Sequence, residues 1–183
     1  LGEAALISPQ AIVERNERLL KNEPTMVSWP DWPDNVSVED IRNRIEALSK
    51  RPQTALFINS DKAVSEIEIN DWMENLNLSQ IQASDNRLFG LVVARAPLRR
   101  FPTDVRVFER QGSLDIDRLQ ESALFPGTPV AVLHESKDLK WLFVQAENYA
   151  AWVSSDKIGI ANRNEVLAYA LRNPRLYVTG SQV

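Results

Sequence analysis

The chain has 183 residues, with 21 basic and 25 acidic side chains and a formal net charge of -4. It has no cysteine and one histidine, His134, which excludes disulfides, thiolate zinc sites, a cysteine nucleophile of its own and multi-histidine metal clusters. No apolar run approaches the ~20 residues that span a bilayer. The mildly acidic balance, without a cluster of Lys and Arg, argues against nucleic-acid binding.

The first half of the chain predicts helices with short strands between them. Ser8-Pro9 is typical of an N-cap followed by proline at the first helical position, and Ser37 begins a second helix. Residues 55–58 favour a short strand, and Asn70-Asp71 predicts the cap of a third helix. Residues 87–95 predict a strand long enough to cross a sheet.

Two tryptophans lie in a proline-interrupted segment. Trp29-Pro30-Asp31-Trp32-Pro33-Asp34 cannot form a regular helix, because each proline breaks it and restricts the residue before it. We interpret this segment as an ordered aromatic loop. Trp29 and Trp32 are therefore candidate interface residues that pack either on a neighbouring domain or within their own.

The second half predicts a small antiparallel barrel. Short apolar strands separated by polar turns at regular spacing are typical of this architecture; they cover residues 129–134, 141–145, 151–154 and 158–161. Asn162 predicts the cap of a helix that extends through Leu171. Residues 176–179 then favour the first strand of a following domain.

Two stretches taken together resemble multidomain NlpC/P60 cysteine peptidases. Gly90-Leu91-Val92-Val93, running into Pro97-Leu98-Arg99-Arg100-Phe101-Pro102-Thr103-Asp104, is similar to a domain junction of that family. The segment 117–130, with 141–144 and 149–153, is similar to its first bacterial SH3-type (SH3b1) domain. The region before Gly90 is similar to the N-terminal stabilising domain.

The resemblance implies an α+β fold in three parts. A helical, mixed N-terminal domain would cover residues 1–96, and an SH3-like antiparallel β-barrel 97–161. A linker helix and the first strand of a possible second SH3b domain would cover 162–183. Full-length members carry a C-terminal papain-like domain whose Cys–His pair cleaves γ-D-glutamyl-diamino-acid bonds in peptidoglycan peptides. Because this chain lacks cysteine, no catalytic residue is assigned, and the catalytic domain would come from the same gene or a separate chain.

In relatives, the first SH3b domain faces the catalytic cleft, where an aromatic residue and a carboxylate recognise the free amine of the peptide. By position in the motif these would be Tyr149 and Glu121. A carboxylate suits an ammonium group, and a tyrosine adds a hydroxyl or a cation–π face. The alternative is that Tyr149 closes the barrel end and Glu121 is a solvated strand residue.

Arg99 and Arg100 are candidate interface residues, since guanidinium groups bind carboxylates of peptidoglycan or of an acidic partner surface. The alternative is an internal ion pair with Asp104, Asp115 or Asp117. These residues would then fix the connection between domains.

His134-Glu135-Ser136 contains the residue types of a hydrolase triad. Adjacent strand residues face opposite sides of a sheet, so we predict a solvated histidine at a turn rather than a catalytic one. No P-loop, dinucleotide fingerprint, nucleophile elbow or HExxH pattern occurs. The sequence therefore predicts no cofactor and no metal site.

The resemblance favours the non-catalytic front portion of a bacterial cell-wall hydrolase. Its barrel would position the catalytic domain and restrict substrates to peptidoglycan-derived peptides with a free N-terminus. The resemblance implies the cell envelope, periplasmic or secreted after signal-peptide removal. The alternative is a stand-alone SH3-type adaptor that binds the cell wall or a protein without hydrolysis.

Overall fold

The structure, a computed structural model, describes residues 7–23, 26–28, 36–59, 61–83 and 88–173. Trp29, Trp32 and the predicted strand 176–179 lie outside the described residues. The helices are α1 (Pro9–Asn22), α2 (Val38–Leu48), α3 (Glu66–Asn75) and α4 (Arg163–Ala170). The strands are β1 (Phe57–Ile58), β2 (Lys62–Ala63), β3 (Phe89–Val92), β4 (Ala96–Arg99), β5 (Val107–Phe108), β6 (Gln120–Leu124), β7 (Pro129–Glu135), β8 (Trp141–Gln145), β9 (Ala150–Ser154) and β10 (Ile158–Ala161).

Side-chain caps begin the helices. Ser8, Ser37 and Asn162 each accept a backbone hydrogen bond from the first turn of α1, α2 and α4 respectively, as the sequence predicts. The predicted start of α3 at Asn70-Asp71 is wrong. This helix begins after Ser65, because Ser65 and Glu68 form a complete capping box that satisfies the N-terminal amides earlier in the chain.

The strands form two antiparallel sheets, and the fold is α+β. The smaller sheet has the order β2-β1-β5, and the larger has the order β10-β3-β7-β8-β9-β4-β6. The strands predicted at 141–145 and 158–161 have the same bounds in the structure. The strand predicted at 87–95 is shorter, because only Phe89–Val92 finds partners in β7 and β10. Strand β4, which contains Pro97, was not predicted from the sequence.

The seven-stranded sheet curves into a barrel. Buried side chains from all seven strands meet in one apolar cluster. The two outermost strands, β10 and β6, contribute Ile158 and Leu124 to it, so the sheet closes around this cluster. In β8 and β9 the alternate residues face the other side of the sheet, since successive strand side chains point to opposite faces.

A helical layer covers that other face. Phe143 and Trp152 project from β8 and β9 into a second apolar cluster with Ile41 and Ile45 of α2 and Trp72 of α3. All five residues of β8 are therefore buried. Both barrel tryptophans, Trp141 and Trp152, pack in this core, at 5% and 0% exposure.

The N-terminal and barrel regions share strands and core. Although β3 precedes the predicted domain boundary at residue 96, it pairs with β7 and β10 of the predicted barrel. The boundaries 96/97 and 161/162 remain predictions. In contrast to the other helices, α1 buries none of its residues. Within the described ranges, no helix combines the length and apolar character needed to cross a membrane.

Candidate functional site

Tyr149 and Glu121, 28 residues apart in the chain, are in direct contact. The Tyr149 hydroxyl donates a hydrogen bond of 2.7 Å to Glu121 Oε2. Glu121 is exposed and Tyr149 is half-buried. Among the described residues, the carboxylate has no other hydrogen bond, so its Oε1 atom remains open to a ligand. The structure thus brings together the two residues that the resemblance assigns to one site.

The strand order explains this contact. Strand β4 lies between β6 and β9 and is antiparallel to both. The first residues of β6 and the turn before β9 therefore flank the C-terminal end of β4. Glu121 is the extra residue of an irregularity in β6, since Leu98 lies opposite Ser122 but Arg99 lies opposite Gln120. Such bulges redirect side chains and recur beside functional sites.

Arg100 follows β4 at the same place. Its Nε donates to the carbonyl of Leu48 at 3.0 Å, and its own carbonyl accepts from Ser49 Oγ at 2.7 Å. The last turn of α2 thus fixes both the side chain and the backbone of this half-buried arginine. Its positive charge reaches Tyr149, where it acts to lower the hydroxyl pKa.

The electrostatics keep Tyr149 protonated. Burial, with a smaller contribution from the hydrogen bond to Glu121, raises the pKa of Tyr149 from 10.0 to about 12. The hydroxyl is consequently a donor to the carboxylate at neutral pH. Its oxygen lone pairs remain hydrogen-bond acceptors.

Arg99 makes a different set of bonds from its neighbour. It is 5% exposed, its guanidinium forms an ion pair with buried Asp117, and it donates to the carbonyls of Thr103 and Val105. This is the internal ion pair that the sequence left as the alternative. The sequence left three acidic partners open, and in the structure Asp117 is the one that pairs with Arg99.

A cleft of about 540 Å³ adjoins the Tyr149–Glu121 pair. One wall is the segment Lys50–Leu56 that follows α2, and the other contains Glu121 at the start of β6. Arg100 lies on the lining as well. Lys50 and the rest of this wall were not predicted from the sequence, because no local pattern shows which loop packs beside β6. Within the described residues, acidic and histidine side chains form no group of three that could hold a metal ion.

The expectation of a solvated His134 is wrong. His134 is 8% exposed, and its Nε2 lies 3.1 Å from both the Leu76 and Asn77 carbonyls, so this nitrogen carries the proton and donates. Burial lowers its pKa. The hydroxyl of Ser136 donates to Asp138 Oδ1 instead. The histidine therefore connects the sheet to the end of α3, and the triad residue types do not form a catalytic array.

Two comparisons show which known domain and which known structure this chain is similar to. A family model described as an SH3 domain of the SH3b1 type matches residues 106–154. A solved structure, described as a novel NlpC/P60 endopeptidase from Photobacterium damselae subsp. piscicida, matches with a TM-score of 0.64 at 21% identity. The match covers 88% of this chain and 39% of that one, so the chain spans about two fifths of its relative's length. No curated protein matches the chain.

The comparisons confirm the predicted resemblance at the level of domain and fold. The chain contains an SH3 domain of the SH3b1 type, which includes β6, β7, β8 and β9. Its α+β architecture is like that of an NlpC/P60 endopeptidase. Glu121 and Tyr149 both lie within the matched SH3 segment, whereas Lys50 and Arg100 lie outside it.

Proposed function

We propose that this chain is the non-catalytic part of a bacterial cell-wall hydrolase and binds peptidoglycan-derived peptides through their free N-terminus. The contact between Tyr149 and Glu121 in the SH3b1-type domain carries this proposal. The likeness to an NlpC/P60 endopeptidase supports the hydrolase setting. A domain with a Cys–His pair, outside these residues, would break the bond.

Recognition would depend on charge at the peptide N-terminus. The ammonium group donates to Glu121 Oε1 and to the Tyr149 oxygen, and Tyr149 holds the carboxylate in place by its own hydrogen bond. A peptide still attached to glycan has an acylated nitrogen and no positive charge. It would leave Glu121 without a cation, so it is disfavoured relative to a free peptide.

The position of the amine site would also determine where along the peptide the bond is cut. The helical layer, the barrel and the cleft share one packed core, so they present the amine site on a rigid support. A rigid wall that holds the peptide terminus fixes how far along the peptide a neighbouring catalytic domain can cut. The proposed location is the bacterial cell envelope.

Calorimetric titration of the chain with a short peptide and its N-acetylated form tests the amine site. A hydrogen bond to a charged group contributes about 1.5–3 kcal/mol, so acetylation should weaken binding at least tenfold. Glu121→Gln should weaken binding of the free peptide and abolish the difference. Glu46→Gln, which removes an exposed charge on α2, is the matched control and should bind like the parent protein.

Equal affinity for the free and acetylated peptides would overturn the proposal. Binding of purified cell wall by the chain, with no preference for a free amine, would instead support the adaptor alternative.

A further inference from the structure

The cleft beside Glu121 contains charges that the amine site does not use. Four cationic side chains line it, and two of these are paired: Arg51 with Glu66 and Arg118 with Glu109. Within the described part of the chain, the other two cations, Lys50 and Arg100, form no ion pair. The cleft therefore holds uncompensated positive charge.

The acidic residues of the cleft do not neutralise these two cations. Asp117 is buried and paired with Arg99, and Glu109 is paired with Arg118. Glu121 remains, and its Oε2 accepts from Tyr149. When a ligand ammonium pairs with Glu121, no carboxylate of the cleft is left to balance Lys50 and Arg100. An anionic group on the same ligand would offset one of these two positive charges.

Arg100 is preorganised to bind such an anion. Its Nε is held by the Leu48 carbonyl at 3.0 Å. Its two terminal nitrogens, for which no partner occurs among the described residues, keep the planar donor geometry that matches a carboxylate. Lys50, an exposed residue of the same cleft lining, adds a mobile point charge. Little side-chain entropy remains to be lost at Arg100 when an anion binds.

We propose that Lys50 and Arg100 form an anion subsite that binds a carboxylate of the same peptide whose ammonium group pairs with Glu121. The ligand class would then be a short acidic peptide with a free N-terminus, recognised by both charges at once. This inference rests on the proposed amine site and adds a second contact to it. It also assigns a binding role to the segment after α2, which lies outside the SH3-type match.

The test compares three dipeptide amides by calorimetry with the 183-residue chain: Ala-Glu-NH2, Ala-Gln-NH2 and acetyl-Ala-Glu-NH2. The first two differ only in the side-chain carboxylate. Loss of that group should weaken binding about tenfold, since a hydrogen-bonded charge contributes about 1.5–3 kcal/mol. Lys50→Gln and Arg100→Gln should each reduce the preference for Ala-Glu-NH2, and the double variant should abolish it.

Lys140→Gln, which removes a lysine outside this cleft, is the matched control and should keep the full preference. Lys50 is exposed, and its side chain makes no hydrogen bond or ion pair with the described residues, so its variant should unfold at the parent temperature even if Arg100→Gln does not. Arg100→Lys keeps the charge and should keep part of the preference.

The three peptides separate the two proposals. Equal binding of Ala-Glu-NH2 and Ala-Gln-NH2, with weaker binding of the acetylated peptide, would overturn the anion subsite and leave the amine site standing. A carboxylate preference without an effect of acetylation would support the subsite and overturn the amine site. Equal binding of all three would overturn both.

Discussion

Trp152 Nε1 donates to Ser49 Oγ at 3.3 Å across a buried contact between β9 and the end of α2. The same hydroxyl donates to the carbonyl of Arg100 at 2.7 Å. One serine thus connects the helical layer, the barrel and the residue that follows β4. Because Lys50 is the next residue along the chain, this connection also sets the position of the cleft wall.

Replacement of Ser49 by alanine should destabilise the chain by about 1–3 kcal/mol, because the buried indole N–H and the Arg100 carbonyl both lose their partner. Urea unfolding followed by tryptophan fluorescence measures the change. Ser122→Ala, at an exposed position of β6, is the control and should stay within about 0.5 kcal/mol of the parent. Similar losses in both variants would contradict this role of Ser49.

Two arginine ion pairs of the β5–β6 region, one buried and one exposed, should differ sharply in their contribution to stability. Arg99→Ala removes the buried partner of Asp117 and leaves it only the exposed Arg106, whose Nε lies 4.0 Å from Oδ2, so it should cost about 3–5 kcal/mol in the free energy of unfolding. Arg118→Ala breaks an exposed pair with Glu109 and should cost at most about 1 kcal/mol. Chemical denaturation of both variants measures this, and a small loss for Arg99→Ala would refute the structural assignment.

His134 should make the chain less stable on mild acidification. Burial places its pKa below the usual 6.5, so the unfolded chain binds a proton first, and stability present above pH 6.5 is lost as the pH falls toward the folded-state pKa. Urea unfolding at about pH 7.5 and at about pH 5.5 measures this loss of stability. Both pH values lie above the range in which most carboxylates titrate. His134→Gln, which can still donate to the Leu76 carbonyl, should make the free energy of unfolding depend less on pH. An unchanged pH dependence in this variant would contradict the role given to His134.

The ionisation of Tyr149 should report on Glu121. Its pKa, about 12 in the folded chain, should fall in Glu121→Gln because the neighbouring negative charge and the carboxylate hydrogen bond are removed. It should stay above 10.0, since burial is the larger cause of the shift. An ultraviolet titration against Tyr149→Phe isolates this tyrosine. No change in Glu121→Gln would show that the contact does not persist in solution.

Short sequence patterns correctly predicted the helix caps and strands that depend on neighbouring residues. The caps at Ser8, Ser37 and Asn162 and the strands 141–145 and 158–161 follow from side chains within a few residues of one another. The start of α3 was wrong because Asn70-Asp71 resembles a cap, whereas the capping box five residues earlier satisfies more backbone groups. Strand β4 was missed because Pro97 argues against a strand. The strand forms nevertheless, because β6 pairs with it along its length.

The burial of His134 was likewise not predictable from the local sequence. A position next to a predicted turn indicated solvent, but the end of α3 covers His134 with two backbone carbonyls. No periodicity within β7 reveals which distant segment lies on top of it.

The amino-acid sequence by itself determined the domain type, the caps of α1, α2 and α4 and the absence of a thiol, since these depend on residue identity and short spacing. Only the tertiary structure decided that Arg99 pairs inward while Arg100 lines a cleft, and that Glu121 meets Tyr149. Those outcomes depend on β4 lying between β6 and β9, a pairing of segments far apart in the chain. Strand pairing of this kind is set by how the whole barrel closes around its core, which no local stretch of residues encodes.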